Sequence, residues 1–177
     1  MQTKKAMIHA LLDLLKEKNI DDISVKAIVE HANVSKASFY SYFRDKYDAM
    51  TSLYMDFLDE GHSLELSFFD GEGSLLTILK FMKQNLLYTQ RLFESSGQNS
   101  FKQELINKTF NIHASQLRQK YHLPETAKTG YLIYSLFEAS YACVAKWVMT
   151  GCQESCEMIA SLVFDIEVRM LEKQTVF

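Results

Sequence analysis

The sequence has few residues that interrupt helices or cross-link a chain. Its 177 residues include one proline, Pro124, and six glycines, so long helical stretches are expected. The three cysteines, Cys143, Cys152 and Cys156, cannot all pair with one another, which favours a reducing compartment. No apolar run approaches the roughly 18 residues of a membrane span, and the first residues lack the cleavage site of a signal peptide. We therefore expect a helical cytoplasmic protein with no membrane segment.

The short motifs that mark many enzymes are also missing. No His-Glu-x-x-His pair, glycine-rich phosphate loop or Gly-x-Ser-x-Gly turn occurs, and the five histidines are scattered. Cys152 and Cys156 are spaced to share one helix face, which leaves a metal or thiol sensor as an alternative. No histidine or third cysteine lies near enough in sequence to complete a zinc site. We therefore expect no catalytic activity, cofactor or metal.

Charge is unevenly distributed along the chain. The net charge is −3, which by itself argues against a nucleic-acid partner. However, residues 1–46 contain eight Lys/Arg and six Asp/Glu, whereas residues 47–177 contain eleven and sixteen. A basic first segment on an acidic remainder can carry the electrostatic footprint of DNA binding while the whole molecule stays anionic.

Segments with apolar residues at helical spacing account for most of the sequence. Three short helices are expected in the first 46 residues, with Ser24 as the N-cap of the second and Ser35 as that of the third, which should end at Tyr42. Asn33 tolerates the left-handed backbone conformation needed for the turn between them. Asp45 caps a fourth helix. Further helices are expected at 74–94, 99–121, 125–150 and 153–173, after a loop at 68–74.

The stretch "NVSKASFYSYF", residues 33–43, has an unusual composition for an apolar chain. On a helical wheel Phe39 and Phe43 share one face and should be buried against the preceding helices. Small and hydroxylic residues then point away, flanked by Tyr40 and Tyr42. Small side chains allow a helix backbone to approach base edges, and tyrosine hydroxyls can donate to phosphates. The pattern favours a helix-turn-helix with its second helix in the major groove. The alternative is a solvated helix on a scaffold that does not bind DNA.

The longer segment "ISVKAIVEHANVSKASFYSYFRDKYDAM", residues 23–50, resembles the helix-turn-helix of the tetracycline-repressor (TetR) family. The matching features are the Ile-Ser start, the core position Ile28, the Val-Ser turn, and the block Phe-Tyr-x-Tyr-Phe-x-x-Lys ending at Lys46. Asn33 and Ala37 depart from the family, which often has glycine at both positions. Asn33 keeps the turn feasible, and the Ala37 methyl group would alter base preference without preventing docking.

The resemblance implies a role for each matching residue. Ser24, at the start of the second helix, resembles a phosphate contact. Tyr40 and Tyr42 match positions that bind backbone phosphate or a thymine methyl group, and Lys46 matches a backbone contact. Three positions where the family reads bases are Lys36, Ala37 and Ser38. The expected partner is double-stranded DNA.

The resemblance further implies an all-α architecture with a DNA-binding domain at 1–46 and a helical regulatory domain at 47–177. That regulatory domain would dimerise through its last two helices and enclose a pocket for an unknown small-molecule effector. Block 125–150 is apolar on nearly all sides, as expected of a helix buried on two faces. Polar and aromatic residues that interrupt apolar blocks are candidates for the pocket. These are Asn85, Tyr88, Arg91, His113, Tyr134 and Tyr141.

The residue pattern and the family resemblance together predict a homodimeric, ligand-responsive transcriptional regulator that binds a palindromic operator. The leading hypothesis is that it represses transcription. The alternative within the same class is an activator or co-regulator that responds to a partner protein instead of a small molecule.

Overall fold

The computed structural model describes residues 2–59, 72–95 and 100–172. Within these ranges the chain forms nine α-helices and one 3₁₀ turn, and no residue lies in a β-strand. None of these helices is long and apolar enough to cross a membrane. The expected all-α fold is confirmed. The elements are α1 (Gln2–Leu15), the 3₁₀ turn (Ile20–Asp22), α2 (Val25–His31), α3 (Lys36–Tyr40), α4 (Lys46–Asp59), α5 (Glu72–Gln84), α6 (Leu86–Glu94), α7 (Phe101–Lys120), α8 (Ala127–Met149) and α9 (Cys156–Leu171).

Two compact units divide the chain, and each combines segments that are distant in sequence. The first unit comprises Met1–Gly61 and Leu87–Glu104, and the second comprises His62–Leu86 and Leu105–Phe177. The sequence-based boundary between residues 46 and 47 divides the chain by expected function, into a DNA-binding and a regulatory domain. That division stays a prediction.

The first unit is built around α1, which packs against α2, α3 and α4. Apolar residues of α1 recur at helical spacing and are almost completely buried, including Met7, Leu11 and Leu15. Each such side chain stabilises the fold by about 1.5–3 kcal/mol relative to an exposed position. On the side of α4, the buried Tyr54 ring packs edge-on against Phe101 with centroids 5.2 Å apart.

The second unit is built around α9, which packs against α5 and α8. Its core includes one buried carboxylate, on Glu167, at 1% exposure. The Lys120 ammonium and the Tyr121 hydroxyl donate to Glu167 Oε1 at 2.7 and 2.8 Å, so the buried charge is paired. A cluster of buried apolar side chains surrounds this end of α7, α8 and α9: Ala114, Leu117, Leu123, Ile133, Leu136 and Leu171.

One expected helix is two helices in the structure. The block 74–94 is divided at Asn85 into α5 and α6, and the two fall in different units. The Asn85 side chain donates from Nδ2 to Phe81 O at 3.0 Å, so it engages the same carbonyl as its own backbone N–H. Such a side chain competes with helical hydrogen bonding and favours a break. The loop was expected to extend to residue 74, but α5 already begins at Glu72. Residues 68–71 lie outside the described residues.

Candidate nucleic-acid interface

Side-chain caps and one left-handed residue produce the turn between α2 and α3. Ser24 Oγ accepts from Ala27 N at 3.1 Å and caps α2, as expected from the sequence. Asn33 has φ 52°, and Val34 N then donates back to Val29 O at 2.9 Å, which ends α2. Ser35 Oγ accepts from Ser38 N at 3.0 Å and caps α3. Four residues therefore form the turn between the end of α2 and the start of α3.

Two phenylalanines fix the orientation of α3. Phe39 and Phe43 are 0% and 3% exposed, with ring centroids 5.3 Å apart. Helix α3 is Lys36–Tyr40, shorter than the expected helix to Tyr42. Helical hydrogen bonding nevertheless continues, because Phe43 N donates to Phe39 O at 3.0 Å. The expected burial of both phenylalanines is confirmed.

The opposite side of α3 faces solvent. Lys36 and Ala37 are exposed, and Tyr40 and Tyr42 are 57% and 45% exposed. Within the described ranges, neither tyrosine hydroxyl has a protein hydrogen-bond partner and Lys36 has no ion pair. This surface, which we call the α3 face, therefore presents one ammonium group, two phenol hydroxyls and a small residue to any ligand that approaches it.

Two of the serines are less available than the sequence suggests. Ser38 is half-buried, and its Oγ lies 2.9 Å from Ser35 Oγ. Ser41 Oγ donates to Ser38 O at 2.7 Å. Both hydroxyls are engaged within the turn, although each keeps a lone pair that can accept a further hydrogen bond.

Lys46 and Tyr47, at the start of α4, contact the segment that precedes α2. Lys46 Nζ donates to Asp21 O at 2.8 Å and to Ile23 O at 3.0 Å. Tyr47 OH donates to Asp21 Oδ1 at 2.7 Å, and this hydrogen bond to a carboxylate raises the pKa of Tyr47 to about 12. The Lys46 ammonium group therefore has two protein acceptors. The phosphate contact expected of Lys46 stays a prediction.

Arg44 is a second cation beside α3 that is held by protein groups. Its guanidinium donates to Glu104 Oε1 at 2.7 Å and to Asp48 Oδ1 at 3.2 Å. Hydrogen bonds to Asp48 and Glu104 raise the pKa of Arg44 above its usual value. The Glu104 side chain is 7% exposed, so Arg44 provides the charge that this buried carboxylate requires. Sequence reasoning missed this pair, since 60 residues separate its members.

Two of the candidate pocket residues lie in the first unit and have structural partners. Tyr88 OH donates to Met50 O at 2.6 Å and accepts from Tyr54 N at 3.2 Å, and burial raises the pKa of its phenol. Arg91 Nε donates to Leu15 O at 3.3 Å, and its guanidinium also contacts Asn19 and Glu94. These contacts attach α6 to α1 and α4.

The other four candidates lie in the second unit. Asn85 interrupts the chain between α5 and α6. His113 is 4% exposed, and burial lowers its pKa to about 4. Burial also raises the pKa of Tyr141 to about 12. Tyr134 lines a surface cavity of about 410 Å³ together with Phe110, Ala127, Gly130 and Tyr131. The six candidates are therefore divided between the two units, and their role in effector binding stays a prediction.

Helices α8 and α9 carry exposed apolar side chains. Met149, Met158 and Leu162 are 46%, 47% and 42% exposed. Met158 and Leu162 of α9 line a second cavity of about 410 Å³, together with Cys143 and Trp147 of α8.

Cys152 and Cys156, whose spacing would allow them to share a helix face, do not lie on one helix. Cys152 lies in the turn after α8 with φ 51°, whereas Cys156 is the first residue of α9. Among the described residues no group of His, Cys, Asp and Glu is arranged to hold a metal ion.

Comparisons with known proteins match both parts of the chain. Residues 7–49 match the model for bacterial regulatory proteins of the tetR family, and residues 72–166 match a model described as a transcriptional regulator C-terminal region. A curated relative is the HTH-type dhaKLM operon transcriptional activator DhaS of Lactococcus lactis subsp. lactis (strain IL1403), 23% identical over 91 residues. That match covers 51% of this chain and 49% of the relative, so it spans about half the length of each.

Two solved structures have a similar fold. The fatty acid degradation regulator FadR from Bacillus halodurans has a TM-score of 0.61 at 20% identity, with 94% of each chain covered. The dihydroxyacetone kinase operon activator DhaS has a TM-score of 0.54 at 16% identity, with 97% of each chain covered. At these identities the likeness concerns the fold.

Proposed function

Because this chain belongs to the TetR family of transcriptional regulators, we propose that it binds a specific DNA sequence by placing α3 in the major groove. One observation carries this proposal. The α3 face exposes Lys36, Tyr40 and Tyr42, while Phe39 and Phe43 anchor the helix from behind. A major groove about 12 Å wide admits such a helix, and the phenylalanine anchor fixes its orientation before DNA arrives.

Each exposed residue has a distinct proposed role. Lys36, Ala37 and Ser38 contact base edges, since they occupy the first turn of α3. The exposed Lys36 ammonium group also neutralises a phosphate beside that turn. The hydroxyls of Tyr40 and Tyr42 donate to phosphates or pack against a thymine methyl group. The Ser24 hydroxyl already accepts a hydrogen bond from Ala27 N. The proposed phosphate contact at Ser24 is therefore made by the backbone amides at the N-terminus of α2, which are positively polarised.

A homodimer formed through α8 and α9 supplies the second recognition helix. Paired recognition helices read half-sites about 34 Å apart, so the proposed operator is a palindrome. The exposed side chains of Met149, Met158 and Leu162 support this assignment, because burying them against a second copy removes apolar surface from water. The two α8 and two α9 helices would then form a four-helix interface.

The helical domain expected at residues 47–177 is the proposed site of regulation. Residues 47–177 would bind a small molecule whose different affinity for two conformations shifts the protein between states of high and low DNA affinity. We propose repression as the default outcome. Activation is the second candidate, and the match to DhaS, described as an operon activator, favours it. In vitro transcription from a template carrying the bound sequence distinguishes a fall from a rise in transcript.

The experiment that tests DNA binding begins with selection of bound duplexes from a random pool. Affinity for the selected duplex is then measured by fluorescence anisotropy at several salt concentrations. We expect the logarithm of affinity to fall linearly with that of salt, and Lys36→Gln to reduce the slope by about 0.9. Tyr42→Phe should lower affinity by about threefold to tenfold, as expected for loss of one hydrogen bond. The proposal fails if no duplex is enriched and low salt gives no binding.

A further inference from the structure

The start of α4 holds the segment before α2 through three hydrogen bonds. The Lys46 ammonium group donates to the carbonyl oxygens of Asp21 and Ile23 at 2.8 and 3.0 Å. The Tyr47 hydroxyl donates to the Asp21 carboxylate at 2.7 Å. We call this arrangement the Lys46–Tyr47 clamp. Its members are 23 to 26 residues apart in sequence, so it closes a loop that contains the whole helix-turn-helix.

The clamp joins the two ends of the DNA-reading element. Ile23 directly precedes Ser24, the N-cap of α2, and Lys46 lies three residues after Phe43, the second anchor of α3. Fixing the Asp21–Ile23 segment against α4 therefore fixes where the N-terminus of α2 lies relative to α3. A protein that contacts phosphate with one helix and bases with the other needs this distance to be constant.

The Lys46 ammonium group is poorly placed to contact a phosphate as well. Two of its three N–H groups have protein acceptors, and the ammonium lies 5.3 Å from the centre of the Tyr47 ring. Turning Lys46 toward a phosphate would break both bonds to backbone carbonyls. Lys36 differs, because it is exposed and within the described ranges forms no ion pair.

We propose that Lys46 and Tyr47 are positioning residues for DNA recognition, holding the N-terminus of α2 in register with α3, and that Lys46 does not neutralise a phosphate. This inference rests on the proposed DNA contact of the α3 face. It assigns Lys46 a task different from the backbone contact that the family resemblance implies, and it assigns Tyr47 a task that the resemblance does not address.

The two roles differ in their salt dependence. A lysine that neutralises a phosphate contributes about 0.9 to the slope of log affinity against log salt, whereas a positioning lysine contributes nothing to that slope. The roles also differ in specificity. Loss of a phosphate contact weakens binding to all sequences about equally, whereas loss of register weakens the selected duplex more than a scrambled one.

The test compares Lys46→Gln and Tyr47→Phe with Lys36→Gln, using the selected duplex and a scrambled duplex of equal length. We expect Lys46→Gln to lower affinity for the selected duplex about tenfold with the salt slope unchanged, and to change affinity for the scrambled duplex less than twofold. Tyr47→Phe alters no charge and should lower selected affinity about threefold to tenfold. Lys36→Gln should reduce the slope for both duplexes.

Folding and binding competence are controlled separately. Circular dichroism shows whether a variant is folded, and titration of the active fraction shows how much of it can bind. A larger dissociation constant is then not confused with a smaller amount of native protein. Tyr47→Phe keeps the test decisive if Lys46→Gln does not fold. A slope reduced by about 0.9 in Lys46→Gln, with equal losses on both duplexes, overturns the inference while leaving the proposed function intact. Unchanged selected affinity in Tyr47→Phe also overturns it. If the wild type binds neither duplex, the proposed function itself has failed.

Discussion

His113 should make the stability of the protein depend on pH between about 4 and 6.5. The side chain is 4% exposed, and burial lowers its pKa from 6.5 to about 4. Over that range the unfolded chain binds a proton at this position and the folded chain does not. The free energy of unfolding therefore falls as pH falls from 6.5 toward 4, with no contribution from His113 at higher pH.

The size of the effect follows from the two pKa values. Between pH 7.5 and pH 5.0, preferential protonation of the unfolded state should cost the wild type about 2 kcal/mol, at about 1.4 kcal/mol per pKa unit. His113→Gln removes the titrating group. The free energy of unfolding of the wild type minus that of the variant should then decrease by about 2 kcal/mol over this interval, whatever the cost of the substitution at pH 7.5.

Urea unfolding followed by circular dichroism at several pH values measures this difference. Protein concentration is held constant, because the proposed dimerisation would make apparent stability depend on it. The exposed His9, replaced by glutamine in the same way, supplies the baseline for loss of a histidine. A difference between wild type and His113→Gln that stays constant from pH 7.5 to 5.0 would refute the reasoning, since it would mean that His113 titrates alike in both states.

Two further predictions concern the packing of the first unit and the surface of the second. Tyr88→Phe removes the hydroxyl that bridges Met50 O and Tyr54 N, and should reduce the free energy of unfolding by about 1–3 kcal/mol in urea titration. A loss below about 0.5 kcal/mol would contradict that role. Leu162→Glu places a charge on the proposed dimer surface and should shift micromolar protein toward monomer in sedimentation velocity. Leu87→Glu is the matched control at 45% exposure, and equal behaviour of the two variants would argue against that surface.

Local sequence features predicted the DNA-reading element in some detail. Ser24 and Ser35 cap their helices as expected, and Asn33 adopts the left-handed conformation that ends α2. Burial of Phe39 and Phe43 follows from their spacing alone. These features depend on residues no more than about five positions apart, so the information that specifies them lies within short windows of sequence.

The candidate effector residues were harder to interpret. Polar side chains within apolar blocks are equally suited to line a cavity or to satisfy buried backbone groups. Tyr88 and Arg91 turned out to bond backbone carbonyls of α4 and α1, in the same unit as α3. Sequence periodicity identifies which residues face inward, but it does not identify the neighbour that each one meets.

The sequence by itself determined the helical class of this protein, the turn between α2 and α3, and the side of α3 that faces outward. Only the tertiary structure determined which groups the cations beside α3 contact. Arg44 pairs with Glu104 and Lys46 with the carbonyls of Asp21 and Ile23, across separations of 60, 25 and 23 residues. The physical reason is that helical periodicity and capping act over one or two turns of chain. The partner of a long charged side chain depends instead on which distant segments the packed core brings within hydrogen-bonding distance.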